Sequence, residues 1–89
     1  MQFVWDPRKA ASNRRKHRVT FDEATSVFDD EQALVQPDLS HEDRLIILGA
    51  SSRARLLFVV YIEFERDDVV RIISARKATA HERKAYENE

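Results

Sequence analysis

Seven consecutive apolar residues, Leu56–Ile62, constrain the fold of this chain more than any other feature. A membrane-crossing helix needs about 20 such residues, so the run cannot span a bilayer. It has the length of a strand, and its lack of alternation marks a central strand covered on both faces. Such a strand needs neighbours, and the sequence offers them. Arg44–Leu48 and Val69–Arg76 read as strands, joined to it by the connector Gly49–Arg55 and the charged turn Glu65–Asp68. Ala33–Gln36 reads as a shorter strand stopped by Pro37, followed by the polar loop Pro37–Asp43. Gln2–Trp5 is a short N-terminal strand, with Trp5 packing between the first helix and the sheet.

The helices announce themselves by their caps. Asp6-Pro7 sets an N-cap Asp before a proline at the first helical position, and the helix runs to about His17. Thr20 and Glu23 form the capping-box spacing Thr-x-x-Glu, ahead of an apolar face of Phe21, Ala24, Val27 and Phe28. That helix ends near Asp29-Asp30. Thr79 and Glu82 repeat the box before a last helix reaching Glu87. The order is βααββββα with mainly antiparallel strands, an α+β fold in one domain, 1–89.

With 89 residues the chain supports one modest core. It has no cysteine, which removes disulfides and thiolate metal sites. Charged residues from Asp6 onward do not resemble a signal peptide, and a cytoplasmic location is expected. The net charge of −1 conceals segregation. Residues 1–18 hold six Lys/Arg against Asp6, residues 19–43 hold eight Asp/Glu and no Lys/Arg, and residues 44–89 carry +2. One basic and one acidic face are therefore available. The densest cationic surface is the last strand and helix, with Arg71, Arg76, Lys77, Arg83 and Lys84. The only glycine is Gly49, so there is no glycine-rich phosphate loop and nucleotide-dependent chemistry is disfavoured. His41 and His81 have no partner at metal-ligand spacing, so neither a metal nor another cofactor is expected.

Two segments carry a family resemblance. The pattern Trp5-Asp6, Lys9, Asn13, Lys16-His17, Val19, Phe21 and Glu23-Ala24 resembles the BrnT toxin family, and so does Arg71-Ile72-Ile73-Ser74-Ala75-Arg76 with Ala78, Glu82-Arg83 and Tyr86. The resemblance implies a RelE-like fold and a ribonuclease toxin of a type II toxin–antitoxin module. It further implies neutralisation by a BrnA-type antitoxin, which alone carries the operator-DNA-binding element. Family members often have Gly after Lys-His, where this chain has Arg18. Either Arg18 accepts a left-handed conformation, at about 1 kcal/mol, or the turn closes differently. The connector Ser51–Arg55 also lacks a Gly, and a looser hairpin is expected.

Metal-free RNA cleavage needs a base for the 2′-OH, cations for the phosphorane charge and an acid for the leaving oxygen. Arg71, Arg76 and Arg83 are the cation candidates, because a guanidinium binds phosphate oxygens bidentately. Pairing with Glu63, Glu65, Glu82 or Glu87 is the competing explanation. Arg71 and Arg76 differ by an odd number, so a flat strand would put them on opposite faces unless a bulge intervenes. His17 is the natural acid or base, since imidazole titrates near neutrality; a helix C-terminal cap competes. Glu63 is a second candidate base. Lys9, Lys16 and Lys77 are candidate phosphate contacts, or else solvated lysines. Tyr86 either stacks a base or closes the core. A catalytic toxin, a non-catalytic antitoxin-binding co-repressor and a plain RNA-binding domain all remain compatible with these residues.

Overall fold

The computed structural model describes residues 1–88. Its elements are β1 (Gln2–Val4), α1 (Pro7–His17), α2 (Phe21–Ser26), β2 (Leu34–Pro37), β3 (Leu45–Ala50), β4 (Leu56–Phe64), β5 (Val69–Lys77) and α3 (Ala80–Glu87). Short 3₁₀ turns follow α2 (Val27–Asp29) and β4 (Glu65–Asp67). The α+β order matches the sequence reading. The five-stranded sheet runs β1-β5-β4-β3-β2. All pairings are antiparallel except β1 with β5, which the sequence did not reveal. Pro37 ends β2 within its pairing to Leu45, which is tolerated because β2 is an edge strand.

β4 lies in the middle of the sheet, but only one of its faces is sealed. Leu57, Val59 and Tyr61 join Ile47, Val70, Ile72 and Ala75 under Val19, Phe21, Ala24 and Val27 of the α1–α2 layer. Trp5, half-buried, meets Phe21 edge-on at 5.9 Å between ring centres. Phe58, Val60 and Ile62 point the other way and remain half-buried. There α3 roofs one end of the sheet, enclosing a cavity of about 280 Å³ with Leu34, Ile46, Leu48 and Phe58. The expectation of cover on both faces is thus corrected: the apolar run has one closed and one partly open side.

The two capping boxes end differently. In α3 both halves are present, Thr79 accepting from the Glu82 N–H and Glu82 from the Thr79 N–H. In α2 the Thr20 hydroxyl accepts from the Glu23 N–H, but the Glu23 carboxylate goes elsewhere. It is buried and accepts from Ser51 Oγ at 2.7 Å, Arg55 Nε at 2.9 Å and a second Arg55 nitrogen. Arg55 also donates to the Arg18 carbonyl. These bonds hold Glu23 below the usual carboxylate range, Arg55 first, with burial opposing. The same network tightens the β3–β4 connector. Ser51 N–H donates to the Arg55 carbonyl at 2.8 Å around a short loop with Ala54 at φ 59°. The connector is compact rather than loose, at the cost of a non-glycine residue in the left-handed region, about 1 kcal/mol. Arg18 accepts the same strain (φ 59°, ψ 31°) and closes α1 with its N–H on the Arg14 carbonyl.

Candidate nucleic-acid interface

A single irregularity in β5 organises the cationic face. Val60 pairs with Ser74 but Tyr61 with Ile72, so Ile73 is an extra residue in the strand. The bulge shifts the alternation by one. Val70 and Ile72 face the core before it and Ala75 after it. Arg71, opposite Ile62, and Arg76, opposite Phe58, therefore share the open face despite their odd spacing.

Arg76 lies 3.9 Å above the Phe58 ring and donates two parallel hydrogen bonds to Glu82, at 2.8 and 2.9 Å. These keep Glu82 below the usual carboxylate range, with burial opposing and Thr79 assisting, and they raise the affinity of Arg76 for its proton. The guanidinium is thus fixed in plane and orientation, with its charge locally compensated. Arg71 is exposed and forms no ion pair among the described residues. A third arginine, Arg44, stands just before β3, next to Leu45, which packs on the core; its Nε is buried without a hydrogen-bond partner among the described residues. The sequence marks Arg44 only as a strand start.

Along the edge of β5 beyond β1, α1 supplies a separate cationic recess, lined by neither Arg71 nor Arg76. Lys9, Lys16 and half-buried His17 line a recess of about 210 Å³ with Ile73 and Ser74. Asn13 explains why α1 sits there. Its amide donates to the Ala75 carbonyl at 2.8 Å and accepts from the Ala75 N–H at 3.1 Å, pairing with β5 as a neighbouring strand would. It also donates to the Val19 carbonyl at 3.0 Å. Asn13 is consumed structurally, a role the sequence did not disclose.

The other candidates lie at or beyond the margin of this surface. Lys77 is exposed at the end of β5, and its carbonyl accepts from Arg76. Arg83 is exposed on α3, 4.0 Å from Glu87. Tyr86 donates from its hydroxyl to Asp30 at 2.6 Å, tying α3 to the turn before β2. That bond raises the phenol's affinity for its proton. Asp30 is lowered although burial opposes it, by the N–H of Ala50, Tyr86 and the N–H of Gln32. Glu63 stands opposite Val70 near Met1, Glu65 and Asp68. It is five residues along β4 from Phe58, about 17 Å at the usual strand rise. Among the described residues no three His, Asp or Glu side chains converge as metal ligands would. No described helix is long and apolar enough to cross a membrane.

The family model described as "Ribonuclease toxin, BrnT, of type II toxin-antitoxin system" matches residues 5–82. The chain belongs to the BrnT family. Among solved structures, the crystal structure of the Brucella abortus ribonuclease toxin BrnT superposes with a TM-score of 0.72 at 25% identity, covering 89% of this chain and 97% of that one. No curated protein matches at a significant level. The resemblance read from the two end segments is thereby established over most of the length. As a BrnT-family member the chain is a ribonuclease toxin of a type II system, with an antitoxin as counterpart.

Proposed function

We propose that this protein is a cytoplasmic endoribonuclease that cleaves RNA without a metal and is neutralised by a BrnA-type antitoxin. Operator DNA is reached only through that antitoxin. The observation that carries the reading is the bulge at Ile73, which gives Arg71 and Arg76 a common face while Ile73 and Ser74, between them in β5, wall the His17 recess. In this reading Arg71 and Arg76 stabilise the charge that develops on phosphorus, and His17 moves the proton. Lys9 and Lys16 hold the backbone of the bound strand, with Lys77 extending the track. Arg83 and Tyr86 belong to its margin, Tyr86 chiefly as the latch on Asp30. Glu63 is the alternative base only for a substrate that reaches along β4.

A second reading is favoured by one specific observation. Arg76 is already paired bidentately with Glu82, as in a surface built to bind rather than to react. The deciding experiment induces wild-type, Arg76→Ala and His17→Ala chains and compares growth arrest with cleavage of RNA by purified protein in a chelator. Cleavage by the wild type that both variants lose supports the nuclease. Folded wild-type protein that binds antitoxin but leaves RNA intact makes it a co-repressor module.

A further inference from the structure

A cavity of about 660 Å³, larger than the recess beside His17, is walled by Arg14, Arg15 and Arg18 from the end of α1 and by Arg53 from the β3–β4 connector. At 100° per residue, Ala11, Arg14, Arg15 and Arg18 fall on the side of α1 opposite Lys9, Asn13, Lys16 and His17. All four arginines are exposed. Among the described residues Arg14, Arg15 and Arg18 form no ion pair, and Arg53 reaches only Glu23, at 4.0 Å, whose carboxylate is already taken by Arg55. A helix C-terminus favours cations, but that does not explain Arg53, which comes from a different element. Arg18 and Ala54, next to Arg53, are two of three non-glycine residues at positive φ among those described, the first closing α1 and the second the β3–β4 connector. Both turns fix the backbone from which these guanidiniums project.

The neighbouring recess narrows the chemistry. A cavity of about 190 Å³ shares Ala11, Arg14 and Thr20 with the arginine cavity and is otherwise lined by Trp5, Ala10, Phe21 and Asp22. Guanidiniums adjoining an aromatic slot are the combination that single-stranded RNA uses, with the phosphate on arginine and the base against a ring. Asp22 suits the base rather than the phosphate, as an acceptor for an exocyclic amine. A docked protein helix would instead need apolar anchors along the whole groove; here they are confined to the Trp5 recess, and the arginine cavity adds only Ala11. We propose that this cavity and the Trp5 recess form a second binding site for single-stranded RNA, taking a phosphodiester and the adjoining base. A strand crossing the C-terminal end of α1 would engage both sides of the helix. The proposal rests on the reading of the chain as RNA-acting, and extends it to a length requirement on the substrate.

Trp5 is the only tryptophan, so its fluorescence reports on the recess directly. The probe is a 2′-O-methyl single-stranded oligonucleotide, which lacks the hydroxyl needed for cleavage. Titration into the full chain is expected to change Trp5 emission with a strong salt dependence. In the Arg15→Ala/Arg53→Ala variant, with an unchanged circular dichroism spectrum, affinity should fall at least about tenfold and the log–log salt slope should flatten by about 0.7, the share of one phosphate. Unchanged affinity and slope, or a silent Trp5, overturn the proposal. Polyglutamate binding as tightly as the oligonucleotide also overturns it and assigns the cavity to an acidic protein segment. RNA cleavage without a Trp5 response removes this site alone. A Trp5 response without cleavage removes the nuclease reading alone.

Discussion

Replacing Asn13 with alanine should be among the most damaging single changes in this protein. The side chain is 6% exposed and makes three hydrogen bonds to backbone groups of Val19 and Ala75. Alanine leaves the Ala75 N–H and two carbonyls without partners. An unsatisfied buried group costs about 1–3 kcal/mol, and carbonyls fall toward the low end because a second lone pair remains. The expected loss is about 3–5 kcal/mol, a large part of the roughly 5–13 kcal/mol available to a domain of this size. Asn13→Asp tests the geometry rather than the volume. One oxygen can still accept from the Ala75 N–H, but the other faces two carbonyls and is tolerated only when protonated. The folded pKa of the introduced carboxyl must therefore lie above the unfolded value of about 3.9. Protonation then favours folding: the stabilising state is fully present below that value and is lost as pH rises through the folded pKa. Urea unfolding followed by circular dichroism, with wild type measured beside each variant, should show the deficit of Asn13→Asp narrowing from pH 7 toward pH 4. A loss below about 1 kcal/mol for alanine, or a pH-independent deficit for aspartate, would refute the pairing of Asn13 with β5.

Three further outcomes follow from contacts outside the interface. Glu23, Asp30 and Glu82 all have lowered folded pKa values, so the stability they supply is present above their ordinary values near 4 and lost as pH falls through the folded ones. Glu23→Gln should flatten the acid limb of a urea-midpoint profile between pH 6 and 3; an unchanged limb would mean that the Arg55 network contributes nothing to it. Tyr86→Phe should cost about 1 kcal/mol through the lost Asp30 bond, and a large fall in RNA affinity instead would return Tyr86 to the binding surface. Gly49→Ala would set a Cβ 2.9 Å from Ala33 Cβ and 3.0 Å from Val27 Cγ1. A loss of about 1–3 kcal/mol in thermal or urea unfolding is expected, and a neutral result would show that the β2–β3 corner can relax.

What the sequence disclosed and what it concealed divide along the range of the interactions involved. Caps and strand-length runs depend on partners a few residues away, so Asp6-Pro7, Thr79-x-x-Glu82 and Leu56–Ile62 were legible. Thr20-x-x-Glu23 is the same local string as Thr79-x-x-Glu82, yet its carboxylate is claimed by Arg55, 32 residues on. No local rule anticipates that competition, because Arg55 offers the buried Glu23 carboxylate a charge-assisted pair against one backbone N–H. The parallel register of β1 was hidden for the same reason, being fixed by contacts across the whole chain.

The cationic face was closer to legible. Strict alternation from Val70 and Ile72 would put Ser74 in the core and Ala75 outside, and a core position prefers the alanine. That mismatch, read with the odd separation of Arg71 and Arg76, requires one extra residue between Ile72 and Ala75, which is where Ile73 bulges. Deleting Ile73 would set Ser74 directly after Ile72, and plain alternation would then keep Ala75 in the core and both arginines on the open face. What the deletion removes is the local bend of the strand and one wall of the His17 recess. The shortened chain should therefore fold, by circular dichroism and urea unfolding, while its RNA cleavage falls. Full activity in that variant would mean that the recess does not need its bulged wall. An unfolded variant would mean that the bend itself, not merely the alternation it corrects, holds β5 against β4.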